Sequence, residues 1–197
     1  MSYRKIAPFY DLLTRIAFGG DFLQSKKQFL DKVENGDSVL IIGGGTGEIL
    51  PHISKGTKIT YVDSSKEMIE KAKERNHHGV QFDHCKWDEF NEEGKYDCIL
   101  AFYFLDLFSD RILENTLKKV DFYLKPGGIL LITDFVNNRR WHAAFLGILY
   151  FFFRVTTGLK TKKLPSWEQA TDDKFKLINA TYHCQRFIKA CLYKSTL

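Results

Sequence analysis

The sequence predicts an α/β fold: a doubly wound, mainly parallel sheet of seven strands closed by an antiparallel C-terminal hairpin. Three observations lead there. Five strand-like runs alternate with helix patterns between residues 39 and 135, and such alternation requires crossovers that leave the strands parallel. The last two runs, 175–184 and 187–195, are joined only by Gln185 and Arg186, which permits only an antiparallel pair. The chain has 197 residues, 44% of them hydrophobic and 27% charged. That composition suits one globular domain with a sizeable core and excludes a wholly disordered chain.

Each element has its own signal. Val39–Ile42 is a continuous apolar run bounded by Asp37 and glycines, as a strand covered on both faces should be. Residues 48–54 read as a short helix, with Pro51 an obstacle to its first turn. Lys58–Val62 is a second strand. Ser65–Arg75 is a helix, with Ser64 or Ser65 as cap and Lys71, Lys73 and Arg75 late in the helix. Val80–His84 and Tyr96–Phe102 are the third and fourth strands. Residues 110–124 are helical, with Ile112, Leu113, Leu117, Val120 and Leu124 on one stripe. Lys125–Gly128 is a turn and Ile129–Phe135 the fifth strand.

Four cysteines, Cys85, Cys98, Cys184 and Cys191, form no CxxC pair and no metal-ligand spacing, so no metal is expected. Reduced thiols and the absence of a secretory signal in MSYRKIAPFYDLL point to a cytoplasmic protein. The net charge of +5 is concentrated: residues 135–167 contain no acid, while Arg139, Arg140, Arg154, Lys160, Lys162 and Lys163 give that window +6. An anionic partner should meet this segment first.

The first strand runs into Gly43, Gly44, Gly45, Thr46 and Gly47. Glycines directly after a strand allow a sharp turn and a close approach of ligand to main chain. A nicotinamide fingerprint would need Gly or Ala where Glu48 stands, and the G-K-[ST] of a P-loop is absent. A nucleoside ligand without a pyrophosphate fits better. Asp63, twenty residues after Gly43 at the end of the second strand, can accept two hydrogen bonds from a ribose diol; the plainer role is capping the next helix.

These segments together, VLIIGGGTG, YVDSSKEMIEKAKER, YDCILAFYFLDLF and LKPGGILLITDF, resemble the class I S-adenosylmethionine-dependent methyltransferases. The resemblance covers residues 6–135 and, in general form, the hairpin. It implies a Rossmann-like sheet and S-adenosyl-L-methionine as cofactor. Gly43, Gly44, Gly45, Thr46 and Gly47 would lie along the methionine and ribose, Asp63 would bind the ribose hydroxyls, and Ser64 and Met68 would flank ribose and adenine. Ala101, Phe102 and Tyr103 would line the methyl donor. The family's first-motif acid is replaced by Ile41, and its acid and small residue near the adenine fall at Lys86 and Trp87. Trp87 can stack on adenine or serve the core.

The leader Ile6–Phe22 is similar to that of the ubiquinone/menaquinone-biosynthesis type, in which a Tyr-Asp pair, here Tyr10 and Asp11, sits in a segment folding over the cofactor. A helix packing Leu12, Leu13, Ile16 and Phe18 onto the sheet is the plainer account of this segment. The resemblance thus implies a single methyltransferase domain over 1–197, with a helical lid at 1–30 and a helical substrate cover at 136–174.

Within the cover, Trp141–Val155 has 13 uncharged residues between Arg140 and Arg154, short of the roughly 20 needed to span a bilayer. It can be a core helix, line an apolar acceptor pocket, or rest on an anionic membrane. Nucleic acid is disfavoured, because the basic residues interleave with an apolar block. The expected reaction is methyl transfer to carbon or oxygen of a small apolar or aromatic acceptor, lipid- or quinone-like. Asp106 and His142 are the candidate bases, with Asp134 behind them. The competing expectation is a catalytically weak or inactive nucleoside-binding protein on the same fold.

Overall fold

The computed structural model describes residues 7–75 and 77–196; the first six residues of the expected lid lie outside them. Seven strands form one sheet: β1 (Ser38–Ile42), β2 (Lys58–Asp63), β3 (Val80–His84), β4 (Tyr96–Phe102), β5 (Leu124–Phe135), β6 (Lys176–His183) and β7 (Ile188–Lys194). Their order is β3-β2-β1-β4-β5-β7-β6. The first five pair in parallel and β7 pairs antiparallel with both β5 and β6. From β1 the chain proceeds to β2 and β3 on one side, then crosses to β4 on the other. A ligand crevice opens at the carboxyl ends of strands flanking such a switch point.

Alternation along the central strands divides the core into two layers. Leu40, Ile42, Ile99 and Ala101 face Leu113, Leu117 and Val120 of α4 (Asp110–Tyr123). Val39, Ile41, Cys98 and Leu100 face Ile49, Leu50 and the Ile69 and Ala72 of α3 (Lys66–Lys73). Position 41 thus points into a hydrocarbon layer, and an apolar side chain there is what that layer demands. Ser65 caps α3, its hydroxyl accepting from the Met68 N–H.

A third apolar cluster sits at the end of β5 and the start of β7. There Phe18 of α1 (Tyr10–Phe18) and Phe22 of α2 (Asp21–Lys27) meet Leu146 and Tyr150 of α5 (Arg140–Thr157), Phe135 and Phe187. The described part of the expected lid and the expected cover therefore pack on one another at the crevice end of the sheet. Short α6 (Trp167–Asp172) leads into β6.

Three expectations change. Residues 48–54 form only a 3₁₀ turn at Leu50–His52, with Pro51 inside it, because proline denies the segment a helical hydrogen bond. The KPGG turn is absorbed into β5 as an irregularity: Tyr96 pairs with Leu124 and Cys98 with Ile129, the extra residues bulging out with Gly127 at φ +71°. On α4, Ile112 is exposed, and Thr116 and Tyr123 join Leu113, Leu117 and Val120 in the buried stripe.

Candidate functional site

A crevice of about 910 Å³ opens over the carboxyl ends of β1, β2 and β4. Its floor is the glycine turn after β1, held by β2: the Gly43 and Gly44 N–H groups donate to the Val62 carbonyl at 2.9 and 3.3 Å. A Cβ on Gly43, which has φ +63°, would fall 2.3 Å from Phe104, and one on Gly44 would fall 2.2 Å from Tyr61. The first two glycines are therefore required by the protein's own packing. Gly45, at φ +65°, has nothing within 4 Å of that position; it is the glycine whose main chain is open.

Asp63 closes the turn. Its Oδ2 accepts from Gly45 N–H at 2.8 Å and its Oδ1 from Ser65 N–H at 2.8 Å. The carboxylate thus serves the helix entry and the glycine loop together while lining the crevice. Burial, only partly opposed by these backbone donors, pushes its pKa upward. The Tyr61 hydroxyl donates to the Gly45 carbonyl at 2.9 Å, fixing the loop from beneath.

The N-terminal helix is fastened to this floor. Asp11 accepts from the Thr46 hydroxyl and from the Arg75 guanidinium, and Arg75 also donates to the Thr46 carbonyl at 3.2 Å. Tyr10, half-buried, lines the crevice beside the clasp. Burial raises its phenol pKa, so it stays protonated.

On the β4 side, Tyr103 occupies a left-handed backbone conformation (φ +51°), which costs a non-glycine residue about 1–2 kcal/mol. Compensating contacts hold it there. Its N–H donates to the Thr133 carbonyl at 2.7 Å, its hydroxyl pairs with Ser25 at 2.8 Å, and its ring stacks on Phe22 at 3.9 Å. Below it, Lys26 of α2 lines the crevice and pairs with Glu48 at 3.2 Å.

Tyr10, Gly43, Gly44, Gly45, Thr46, Asp63, Ser64, Met68, Lys86, Trp87, Phe102 and Tyr103 all line this one crevice. Gly47 and Ala101 do not: they pack beneath it, Gly47 against Ala72 and Ala101 within the core. Trp87 is both wall and core, stacked on Phe90 at 5.5 Å with the Lys119 ammonium 5.0 Å from its ring; its buried Nε1 has no partner among the described residues. Lys86 is exposed and pairs with Glu89 at 2.7 Å.

The structure does not bring Asp106 or His142 to the crevice wall. Asp106 is buried against Asp134, whose Oδ2 accepts from the Leu105 and Asp106 N–H groups at 3.0 and 3.1 Å. His142 is fully buried in the first turn of α5, edge-on to Phe187, its Nδ1 accepting from Asn138 N–H at 3.1 Å. Burial lowers its pKa, which keeps it neutral. Sequence reasoning missed Phe22 and Lys26 on α2, Phe108 and Ile112 on the β4 side, and Lys160 and Thr161 after α5. The i, i+4 spacing of Phe22 and Lys26 is the one local sign that they share a face. Among the described residues no group of acids, histidines and cysteines could hold a metal ion.

A family described as a methyltransferase domain matches residues 15–180. The chain is 28% identical over 163 residues to the carboxy-S-adenosyl-L-methionine synthase of Desulfotalea psychrophila, an alignment covering 76% of this chain and 66% of that protein. It is 28% identical over 145 residues to the ubiquinone/menaquinone biosynthesis C-methyltransferase of Francisella tularensis subsp. novicida, covering 68% of this chain and 57% of that one. The chain thus spans under two thirds of the length of these relatives. The crystal structure of the N-methyltransferase NodS from Bradyrhizobium japonicum with S-adenosyl-l-homocysteine superposes with a TM-score of 0.68 at 12% identity, over 89% of this chain and 88% of that one. This last likeness concerns the fold.

Proposed function

The chain belongs to the class I S-adenosylmethionine-dependent methyltransferase family, and on that premise we propose that it methylates a carbon or oxygen of a small apolar or aromatic acceptor. The observation that carries this reading is Asp63, a buried carboxylate held at the crevice wall by Gly45 and Ser65, with unused lone pairs for a ribose diol. The crevice volume lies within the range of small-molecule sites, and the open main chain of Gly45 leaves room beside that carboxylate.

In this reading Ser64 and Met68 would flank ribose and adenine, Lys86 and Trp87 would stand at the adenine edge, and Gly43, Gly44, Gly45 and Thr46 would lie along the chain linking sugar to sulfur. Phe102 and Tyr103 would face the methyl group and Tyr10 would cover it, while Gly47 and Ala101 support the floor. When bound, S-adenosylmethionine would supply a sulfonium-activated methyl group to an acceptor carbon or oxygen, with S-adenosylhomocysteine as the leaving group and the acceptor's displaced proton released to buffer. The chain's own part is to orient the partners and exclude water with Phe104, Leu107 and Phe108. Such orientation can contribute about 7–11 kcal/mol of barrier lowering. Neither Asp106 nor His142 is assigned the acceptor's proton, since neither lines the crevice.

Calorimetric titration tests the reading: S-adenosylmethionine and S-adenosylhomocysteine are both expected to bind in the micromolar range or tighter. Failure of both to bind leaves no basis for methyl transfer. Binding of both without turnover of any apolar acceptor supports the rival, a nucleoside-binding protein that has lost activity.

We further propose that the acceptor comes from an anionic bilayer, on which α5 rests. Ile148, Phe151 and Val155 form a stripe along its outer face and are 65%, 66% and 70% exposed. Trp141 continues the stripe toward the N-terminal end. Arg139, Arg140, Arg154, Lys160 and Lys162 surround it, all exposed and in no ion pair among the described residues. Lys160 and Thr161 then enter the crevice wall, so a membrane under α5 would lie next to the opening. No helix among the described residues is long and apolar enough to cross a membrane, so the helix would lie along the surface, each cation contributing about 1 kcal/mol.

The protein is expected to float with phosphatidylglycerol vesicles and not with phosphatidylcholine vesicles. Changing Ile148 and Phe151 to Asp together should abolish flotation, as should changing Arg139, Arg140 and Arg154 to Glu. Flotation that survives both changes, or a dimer in light scattering that the Asp changes dissociate, rules out the bilayer as occupant of this face.

A further inference from the structure

The crevice has two ends. Asp63, Ser64 and Met68 line it on the β2 side; Leu107, Phe108 and Ile112 line it beyond β4, together with Lys160 and Thr161 from the segment after α5. Its volume, about 910 Å³, is near the upper end of the roughly 300–1,000 Å³ of small-molecule sites, so a second molecule can lie beside a nucleoside. The wall is rich in cations: Lys26, Lys86, Lys119 and Lys160 line it, against the acids Asp63 and Asp88. Three of the four are engaged. Lys26 pairs with Glu48 at 3.2 Å and Lys86 with Glu89 at 2.7 Å, and Lys119 donates to the Trp87 and Asp88 carbonyls at 2.6 and 3.1 Å. Lys160 is exposed and in no ion pair among the described residues. Asp110, at the start of α4, accepts from Ser166 N–H at 2.8 Å and lies 3.6 Å from Lys163, so it is already taken.

A lysine on an untethered loop carries little meaning, but here the main chain is fixed on both sides. α5 ends at Gly158, whose left-handed conformation caps the helix. Leu159 is then buried with Phe18, Phe22 and Phe135. Thr161 donates its hydroxyl to the Leu107 carbonyl, and Leu164 packs against the core on both sides of that wall. Lys160 therefore stands between two anchored neighbours, next to the apolar residues beyond β4. Such a wall, apolar with one cation that no acid neutralises, is complementary to an amphiphile with an apolar body and an anionic end.

We propose that the acceptor carries an anionic group, a carboxylate or a phosphate, which Lys160 takes while Leu107, Phe108 and Ile112 hold the apolar body. This rests on the reading that the crevice receives a methyl acceptor, and it adds the acceptor's charge to that reading. Lys160 is then the residue that separates acidic acceptors from neutral ones of the same shape. Lys162, two residues further on, is exposed and does not line the crevice, which makes it the matched control.

Calorimetry with probes of one chain length tests this: octanoate and octyl phosphate against octanol, each with and without saturating S-adenosylhomocysteine. The native chain should bind the two anions about 3- to 10-fold tighter than octanol, the effect of one charged contact partly open to water. Salt at about 1 M should remove most of that difference. Lys160→Met should abolish the preference, Lys160→Glu should reverse it, and Lys162→Met should keep it. Equal melting temperatures report that each variant is folded. Flotation on phosphatidylglycerol vesicles separates an anion in the crevice from one in a bilayer: Lys160→Met should leave flotation intact, since Arg139, Arg140 and Arg154 are still present. If the native chain binds all three probes equally, or none of them, there is no anion subsite, and methyl transfer is judged by S-adenosylhomocysteine binding alone. If Lys162→Met loses as much preference as Lys160→Met, or if Lys160→Met loses flotation and keeps the preference, Lys160 belongs to the general surface charge and the proposal is overturned. If S-adenosylhomocysteine does not bind and a preference dependent on Lys160 persists, the cofactor reading fails and the anion subsite stands.

Discussion

Changing Asp63 to Asn is expected to weaken binding of S-adenosylhomocysteine about 100-fold, and of adenosine comparably, while adenine alone binds as before. The carboxylate accepts Gly45 N–H on one oxygen and Ser65 N–H on the other. Asparagine keeps the shape and replaces one oxygen with a donor, so one backbone N–H must face an NH₂ group. The ribose hydroxyls meanwhile lose a charged acceptor. Charged hydrogen bonds contribute about 1.5–3 kcal/mol each, and about 1.4 kcal/mol is a factor of ten. Two weakened bonds therefore give the stated loss. The raised pKa of Asp63, caused chiefly by burial, strengthens the expectation: a poorly solvated carboxylate gains more from incoming O–H donors. Adenine is the control because it carries no ribose. Unchanged adenosine affinity in Asp63→Asn would leave Asp63 as a helix-entry and loop residue only.

Asp63 could be found from sequence because its surroundings are local. An apolar strand, a glycine turn and an acid at the next strand tip are all written within residues 39–63. The parallel strands and the hairpin were legible for the same reason, since strand burial and link length are read from adjacent residues. Elements that depend on distant partners were not. Residues 48–54 carry apolar positions suited to a helix, yet Pro51 leaves only a 3₁₀ turn at Leu50–His52. Ile112 belongs by spacing to the apolar stripe of α4, but the helix settles with Thr116 and Tyr123 inward and Ile112 at the crevice.

Lys26 shows the limit most plainly. In FLQSKKQF only the i, i+4 spacing from Phe22 sets it apart from Lys27, and that spacing names no crevice; the docking of Phe22 and Ser25 on Tyr103 turns Lys26 toward it. Asp106 and His142 failed to reach the crevice in the converse way. Each lies in a segment that lines or adjoins a site in sequence order, but the backbone turns its side chain toward Asp134 or Phe187.

The Asp106–Asp134 pair carries the last expectation: Asp106→Asn should stabilise the protein increasingly as pH rises from about 5 through about 7, by several degrees in Tm. Both carboxyl groups are buried, Asp134 completely. Asp134 accepts three backbone N–H groups, from Leu105, Asp106 and Phe135, so negative charge is best placed there. Asp106 has an Oδ1 with no partner among the described residues, and so the pair's proton is best placed on it. The groups facing them from other elements are phenols: Tyr150 on α5, Tyr10 on α1 and Tyr103 beside β4. All three are pushed upward by burial and stay neutral. Burial raises Asp106 well above the usual carboxylate range, with Asp134 adding to the rise, and raises Asp134 to about 7. A raised folded-state value means that the folded chain holds protons the unfolded chain releases near pH 4. Their contribution is fully present below about pH 4 and is lost as pH rises through the folded-state values, at about 1.4 kcal/mol per pH unit for each proton. Asn at position 106 has no proton to lose and no charge to set against Asp134, so its advantage over the native chain should widen across that window. Thermal melts of the two proteins at matched pH values decide the point. A difference in Tm that stays constant with pH would mean that these carboxyl groups share no proton in the folded protein.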